Sequence, residues 1–538
     1  MKTLLYFTLT LCALAFGACR SNAVETNVAT SQTDSNQSFT TTERGFERIS
    51  SNVELPKNIT LSDAPEDVAL NDKIAQIVDK SEFRNARWGV FVVSLNDARV
   101  LAAQDAQKLF NPASIQKLLT TAVALDKLGA EYRWRTSVVA TKAIDANGTL
   151  NGDLIIYGRG APDFDSKQLA ELAKQLKDKG LRKVTGDIIG DESYFNADAL
   201  GNGWIWNEAQ WYYGAEPSAL TFNNNEITIS VVPDEKDSTT VKVIPELDFV
   251  KVVNKSAILQ PNQPESVGIK RGIENNEFYV WGSVSRKGFG ARVALSHPSI
   301  WAASELKKTL EKNGVTISGA TKSADWKSDD KTDIATATEL ASVESKPLSE
   351  IVKLTNKRSV NLYAELMLRT LGRNFGAEAP DVDAKITATR GDDNAGASVI
   401  SKWLKDKGVS VDDTIIYDGS GLSRLDFISP ETFGRFLIAA LKTKHSDTFK
   451  DSLPIAATDG TLGGRLSKHK GKIIAKTGSE TYVNSLAGYA ENKNGEIVAF
   501  AIFCNNETRK GDAVRTIDEI ASAIAEFPVS SDTDKNQR

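Results

Sequence analysis

The chain has 538 residues, 41% of them hydrophobic and 25% charged, an ordinary globular composition at a length that points to about three domains. Its 65 basic and 70 acidic side chains leave a formal charge of -5, which gives no basic footprint for nucleic acid. Three histidines and three cysteines supply little for a metal centre or a disulfide scaffold, so neither a metal nor a cofactor is expected.

Lys2 and the apolar run Leu4 to Phe16 have the form of an export signal, too short to remain as a membrane span. The run ends in Phe16-Gly17-Ala18-Cys19. Small residues before a cysteine resemble a bacterial lipoprotein cleavage box, so residues 1–18 are read as a signal peptide and Cys19 as a lipidated N-terminus. Ordinary secretion with an incidental Cys19 is the alternative. Cleavage would also remove Cys12, leaving Cys19 and Cys504, so no disulfide is expected. Cys504 closes the apolar run Val498 to Phe503 and reads as a buried strand residue. Residues 19–66 are rich in small polar side chains and read as a flexible tether. Residues 529–538 form a polar tail.

Residues 67–83 have helical spacing, and Trp88 to Ser94 alternates as a strand does. Asn111-Pro112-Ala113-Ser114 opens a long apolar helix, Ile115 to Leu128, which stops near Gly129. From about 135 to 335, short alternating segments between Gly, Asn and Asp turns read as β-rich, with one helix at Ser299 to Asn313. Helices return at Asn361 to Leu371 and Ala397 to Lys407. Lys472 to Gly478 reads as a strand, and Asn492-Lys493-Asn494-Gly495 as a hairpin turn between Ser485–Ala490 and Glu496–Phe503. A last helix covers about 515–527. Helices at both ends of a β-rich middle imply one α/β domain interrupted by an insertion.

Ser114-Ile115-Gln116-Lys117 is a Ser-x-x-Lys tetrad at a helix start, where spacing i, i+3 stacks both side chains on one face. Free N–H groups at the helix N-terminus favour an oxyanion there. A partly desolvated lysine has a depressed pKa, and its neutral form accepts a serine proton. Alone, the tetrad also reads as a plain N-cap serine. Further tetrads at Ser304–Lys307, Ser328–Lys331 and Ser467–Lys470 sit in polar contexts and read as solvated surface. Two more motifs decide for chemistry. Ser359-Val360-Asn361 precedes a helix, and Lys476-Thr477-Gly478 ends an apolar strand. Ser-x-x-Lys, Ser-x-Asn and Lys-Thr-Gly in this order are the signature of serine β-lactamases and penicillin-binding proteins. Val360 stands where Asp is usual.

Lys117 and Ser359 lie much farther apart than a compact β-lactamase requires. The chain resembles the class C low-molecular-mass penicillin-binding proteins, the D-alanyl-D-alanine carboxypeptidase/endopeptidases. The motifs Gly158-Arg159-Gly160-Ala161-Pro162-Asp163, Gly186 to Asp191, Gly203 to Ala215, Ser218-Ala219-Leu220, Asn223 to Asn225, Asn356 to Ser359, Asp418 to Leu422 and Thr458 to Thr461 carry the same resemblance. It implies an α/β (α+β) transpeptidase-like domain, a central antiparallel sheet flanked by helices, interrupted by two inserted β-rich domains. The implied boundaries are peptidase domain 67–138 and 338–528, inserted domain II 139–215 and 290–337, and inserted domain III 216–289.

By the same resemblance, Ser114 is the nucleophile and Lys117 its base. Ser359 relays a proton to the leaving amine, and Asn361 bonds substrate and Lys117. Lys476 and Thr477 hold the substrate's terminal carboxylate, Gly478 keeps the strand edge open, and the Ser114 and Ser479 amides form the oxyanion hole. Glu208 and Tyr213 meet the distal stem peptide. Trp204 and Trp206 read instead as a packed aromatic corner, and Asp418 and Asp459 as turn formers. The implied partners are peptidoglycan stem peptides as substrates and β-lactams as inhibitors, with membrane contact only through a lipid anchor. A serine β-lactamase and a non-catalytic wall-binding protein remain as alternatives. A Ser-His-Asp hydrolase is disfavoured, since no Gly-x-Ser-x-Gly elbow exists and His297, His445 and His469 lie in polar or loop contexts.

Overall fold

A computed structural model describes residues 53–234, 238–329, 331–379, 391–508 and 513–528. The signal peptide, Cys19, residues 20–52 and the tail 529–538 lie outside the described residues.

One half of the molecule is built on a five-stranded sheet in the order Ile473–Glu480, Val483–Glu491, Ile497–Asn505, Arg87–Ser94, Val100–Gln104, every pair antiparallel. The apolar run at Ile497–Asn505 is its centre. Successive side chains of a strand point to opposite faces, so Ala499, Ala501 and Phe503 feed one core while Val498, Phe500, Ile502 and Cys504 feed another. The helices Pro65–Lys80 and Ala513–Glu526 cover the second face through Leu70, Ile74, Ile517, Ile520 and Ile524. The helices Gln116–Leu128, Asn361–Phe375, Asp392–Asp406 and Pro430–Leu441 cover the first. Cys504 is fully buried, and burial pushes its thiol pKa up. The expected hairpin forms between Val483–Glu491 and Ile497–Asn505, with Gly495 at φ +76°.

The chain leaves this domain after Gln116–Leu128 and builds a second five-stranded sheet, Thr321–Ala324, Ile188–Asp191, Leu154–Tyr157, Arg135–Ala140 and Thr338–Glu344. Besides a small sheet of Thr316–Ile317, Lys183–Val184 and Thr149–Leu150, the described residues form two further three-stranded sheets. One contains Phe289–Ala294, Glu226–Pro233 and Thr239–Ile244, and the other Lys251–Ile258, Glu277–Val284 and Ser266–Arg271.

The structure moves four expectations. Arg135–Ala140 pairs with both Leu154–Tyr157 and Thr338–Glu344, so one sheet takes in strands on either side of the expected limits 139 and 337. Phe289–Ala294 pairs with Glu226–Pro233, carrying the distal β region past 289. A helix at Ser166–Asp178, absent from the β-rich reading, is held by a capping box between Asp165 and Gln168 and buries Leu169, Leu172 and Leu176. Finally, the tether does not run to 66. Val53, Leu55 and Ile59 pack on the core, Arg435 donates to the carbonyls of Leu55, Pro56 and Lys57, and the Ser62 amide bonds to Val100 O at 2.9 Å. A few apolar side chains plus backbone bonds to one arginine hold a stretch whose composition is polar.

One buried ion pair ties the segment bearing Ser359 to the loop before the Ile473–Glu480 strand. Lys357, at the end of helix Leu348–Arg358, places Nζ 2.6 and 2.8 Å from the Asp459 carboxylate and 2.5 Å from Leu453 O. Burial pulls the Lys357 ammonium below its ordinary pKa even with Asp459 beside it. Asp459 thus does more than form a turn. Removing one member of a buried pair leaves the other charge uncompensated, at about 3–5 kcal/mol. Asp459→Ala is therefore expected to lower unfolding stability by roughly that amount, read from denaturant or thermal melts beside a surface control such as Asp406→Ala.

Candidate active site

The nucleophile stands on a strained turn. Ala113 has φ +47°, a left-handed conformation unfavourable for a β-carbon-bearing residue. Asn111 holds it there: its Oδ1 accepts from the Ala113 amide at 3.0 Å and its Nδ2 donates to Ser423 O at 2.9 Å. The short 3-10 turn Ala113–Ile115 then passes directly into helix Gln116–Leu128. One turn on, Lys117 is fully buried, with Nζ 2.8 Å from Ser114 Oγ and 2.6 Å from the Ser420 carbonyl.

Burial pulls Lys117 down to about 7, against the opposing pull of Asp418, Glu365 and Glu480. Glu365, four residues after Asn361 on one helix face, is itself buried and pushed up to about 8 by desolvation and then by Asp418. Asp418 is a hub. Its carboxylate accepts from the Gly421, Leu422 and Ser423 amides at 2.7, 3.0 and 2.9 Å, and from Ser420 Oγ at 3.1 Å. That loop aims the Ser420 carbonyl at Lys117. Near neutral pH an appreciable fraction of Lys117 is an uncharged amine within hydrogen-bond reach of Ser114 Oγ, the geometry of a general base.

The other motifs converge on the same crevice. Ser359 has φ +58° at the end of helix Leu348–Arg358, and its Oγ accepts from Lys476 Nζ at 2.9 Å. Lys476 also donates to Thr477 O at 2.7 Å. Burial, then the charge of Lys117, holds the Lys476 pKa well below its ordinary value. Thr477 Oγ1 bonds Thr461 Oγ1 at 2.8 Å. Exposed Ser479 donates its hydroxyl to Asn484 at 3.0 Å.

Two expectations change in detail. Asn361 does not bond Lys117; its Nδ2 donates to the Tyr213 carbonyl at 2.8 Å, reaching into the inserted domain. Gly478 is required by packing at the strand's inner side. A Cβ there would stand 2.1 Å from Ser485 Oγ, 2.8 Å from Pro112 O and 3.1 Å from the Ser114 nitrogen. Its missing side chain lets the Ile473–Glu480 strand lie against the nucleophile's turn.

The Trp204–Tyr213 segment roofs the crevice. Trp204 Nε1 donates to Asp418 at 2.9 Å, and Arg424 N donates to Gly203 O at 3.1 Å. Trp206, expected to pack beside Trp204, is instead 60% exposed, with Lys270 Nζ 4.6 Å from its ring centroid. Burial raises the Tyr213 pKa, with Glu208 adding to the effect. Glu208 also acts on Glu480, which burial lifts to about 8 despite Arg424 at 2.9 Å. The sequence gives no role to Glu365, Glu480 or Arg424, and none to Ser420 beyond its place in the Asp418–Leu422 motif. Of the first three, Glu365 had a signal, its i+4 spacing from Asn361.

An interrupted antiparallel domain with Ser-Lys, Ser-Asn and Lys-Thr-Gly elements meeting in one buried crevice defines a serine peptidase of the penicillin-binding fold. The sequence profile of the D-Ala-D-Ala carboxypeptidase 3 (S13) family matches residues 70–526, and the chain belongs to that family. It is 30% identical over 479 residues to a D-alanyl-D-alanine carboxypeptidase of Actinomadura sp. strain R39, covering 85% of each chain. It is 28% identical over 428 residues to D-alanyl-D-alanine carboxypeptidase DacB of Haemophilus influenzae, covering 78% of this chain and 85% of that one. The crystal structure of penicillin-binding protein 4 (dacB) from Haemophilus influenzae superposes with a TM-score of 0.72 at 26% identity, covering 84% of this chain and 99% of that one.

A base held at about 7 sets the sign of the pH dependence. With Lys117 acting as the neutral amine, acylation of Ser114 by a p-nitrophenyl ester is expected to rise about tenfold per pH unit below the midpoint and flatten above it. Lys117→Met should lose roughly 10²–10⁴-fold in rate together with that limb.

Proposed function

We propose that the protein is a serine D-alanyl-D-alanine carboxypeptidase and endopeptidase acting on peptidoglycan stem peptides and their cross-links. The observation that carries this reading is the buried Lys117 amine 2.8 Å from Ser114 Oγ, facing a second buried lysine bonded to Ser359. Ser114 Oγ attacks the carbonyl of the penultimate D-alanine as Lys117 takes the hydroxyl proton. The oxyanion forms at the amides of Ser114 and Ser479, where one such donor is typically worth 10²–10³-fold in rate. Collapse breaks the C–N bond, the departing amine receives a proton through Ser359, and water then hydrolyses the ester.

Lys476 and Thr477 receive the substrate's terminal carboxylate. An entering anion restores the charge that burial removes from Lys476, so carboxylate binding and its cation reinforce each other. In this reading Glu208, whose charge acts on Glu480 and Tyr213, meets an ammonium on the distal stem peptide together with Tyr213. A β-lactam amide enters by the same route and remains attached because its leaving group stays tethered. The Haemophilus influenzae structure complexed with a novel β-lactam, at 25% identity and a TM-score of 0.68, supports this. The apolar run Leu4 to Phe16 and Cys19 support export to the periplasm and a lipid anchor.

Wild-type protein should release D-alanine from a muramyl pentapeptide and take up one penicillin per chain as a lasting adduct by mass spectrometry. Ser114→Ala should do neither. Continued D-alanine release by that variant contradicts the proposal, and rapid turnover of penicillin by wild type favours a β-lactamase.

A further inference from the structure

The sheet formed by Lys251–Ile258, Glu277–Val284 and Ser266–Arg271 has one dry face and one wet face. Phe278, Val280 and Val284 are fully buried on the inner side. Tyr279 and Trp281 alternate to the outer side, 48% and 47% exposed. The register places Tyr279 between Val253 and Lys270, and Trp281 between Lys255 and Gly268. A Cβ on Gly268 would stand 2.3 Å from Cε2 and Cζ2 of Trp281. The indole therefore lies down across the glycine and turns its flat face to solvent. Tyr279 stands two residues away, about 6.6–6.8 Å along the strand.

This strip is joined to the crevice. Trp206 is 60% exposed, stacks with Lys270 from the same sheet, and belongs to the segment that carries Glu208 and Tyr213. Gln210 of that segment donates to Ile269 O at 3.2 Å and accepts from Arg271 N at 3.1 Å, which fixes the sheet to the roof of the site. Exposed aromatics scattered singly need no explanation, but three large rings gathered on one surface mark a contact area.

We propose that this face, with Trp206, binds the glycan strand of peptidoglycan alongside the crevice, a site distinct from the one that takes the stem peptide. The proposal rests on the peptidoglycan reading of the substrate. Flat rings with polar and cationic neighbours suit a pyranose, whose C–H face stacks on the aromatic while its hydroxyl and acetamido groups meet polar side chains. Lys255 and Lys270, one on each flanking strand, complement the carboxylates of stem peptides hanging from such a polymer. A lipid-inserting surface would project apolar edges outward, whereas Trp281 lies flat on its own sheet.

The test uses the full chain carrying Ser114→Ala, so that nothing is digested, and amidase-stripped glycan strands that carry no peptide. The parent should bind these strands, and adding Tyr279→Ala with Trp281→Ala should weaken binding roughly tenfold, with Trp281→Phe restoring most of it. Melting curves check that each variant is folded. Equal binding by parent and double variant, or no binding by the parent, overturns the proposal, as does binding to phosphatidylglycerol vesicles in place of glycan. Because the strands carry no peptide, glycan binding by the Ser114→Ala parent together with failure of the wild-type chain to cleave pentapeptide refutes the peptidase reading and leaves this one standing.

Discussion

A lysine is a useful base for a serine only when it has lost its proton near neutral pH, and taking it out of water is the physical means. Lys117 meets this constraint by complete burial. Burial alone would drive it too far, and the carboxylates of Asp418, Glu365 and Glu480 pull it back to about 7. The surroundings of the crevice can be understood as the apparatus that keeps this balance. Asp418 draws the amides of the 421–423 loop around itself, and the loop presents the Ser420 carbonyl to the amine at 2.6 Å. Trp204 closes over Asp418 from the inserted domain. The insertion is therefore part of the electrostatic environment of the base as well as the roof of the cleft.

The second lysine obeys the same physics with the opposite purpose. Lys476 is fully buried, and the charge of Lys117 adds to burial in disfavouring its own. Its bonds go to Ser359 Oγ and Thr477 O, neither of which carries a negative charge. Gly478 lets the strand approach the Ser114 turn closely enough for both halves of the site to share one space. The strained φ values of Ala113 and Ser359 fall beside the same crevice, where surrounding hydrogen bonds over-determine the backbone.

Much of this was legible before any coordinates. Ser114 and Lys117 are linked by covalent spacing on one helix, and the apolar runs at Val498 to Phe503 and Ile115 to Leu128 announce a central strand and a buried helix. The three motifs are short, so their local context is readable. The carboxylates that tune Lys117 were not legible in the same way. Asp418, Glu365 and Glu480 come from three separate elements, each a single acid in an apolar or glycine-rich setting, and only folding brings them to one lysine. The family resemblance pairs Asn361 with Lys117, but the fold offers it the Tyr213 carbonyl. The helix Ser166–Asp178 did leave a mark, the Asp165–Gln168 capping box, which the alternation of its neighbours obscured. Residues 53–64 show the converse, since composition says little about a segment held by Arg435 through backbone carbonyls.

The protonation of the Lys117 amine can be watched directly. Protein labelled with ε-carbon-13 lysine, with the Lys117 resonance assigned by comparison with Lys117→Arg, can be titrated by nuclear magnetic resonance. A midpoint near 7, far below the ordinary lysine value of 10.5, is expected for Lys117. A midpoint near 10.5 would mean that the buried lysine remains an ammonium throughout the working range, and the neutral-base account of Ser114 would be wrong.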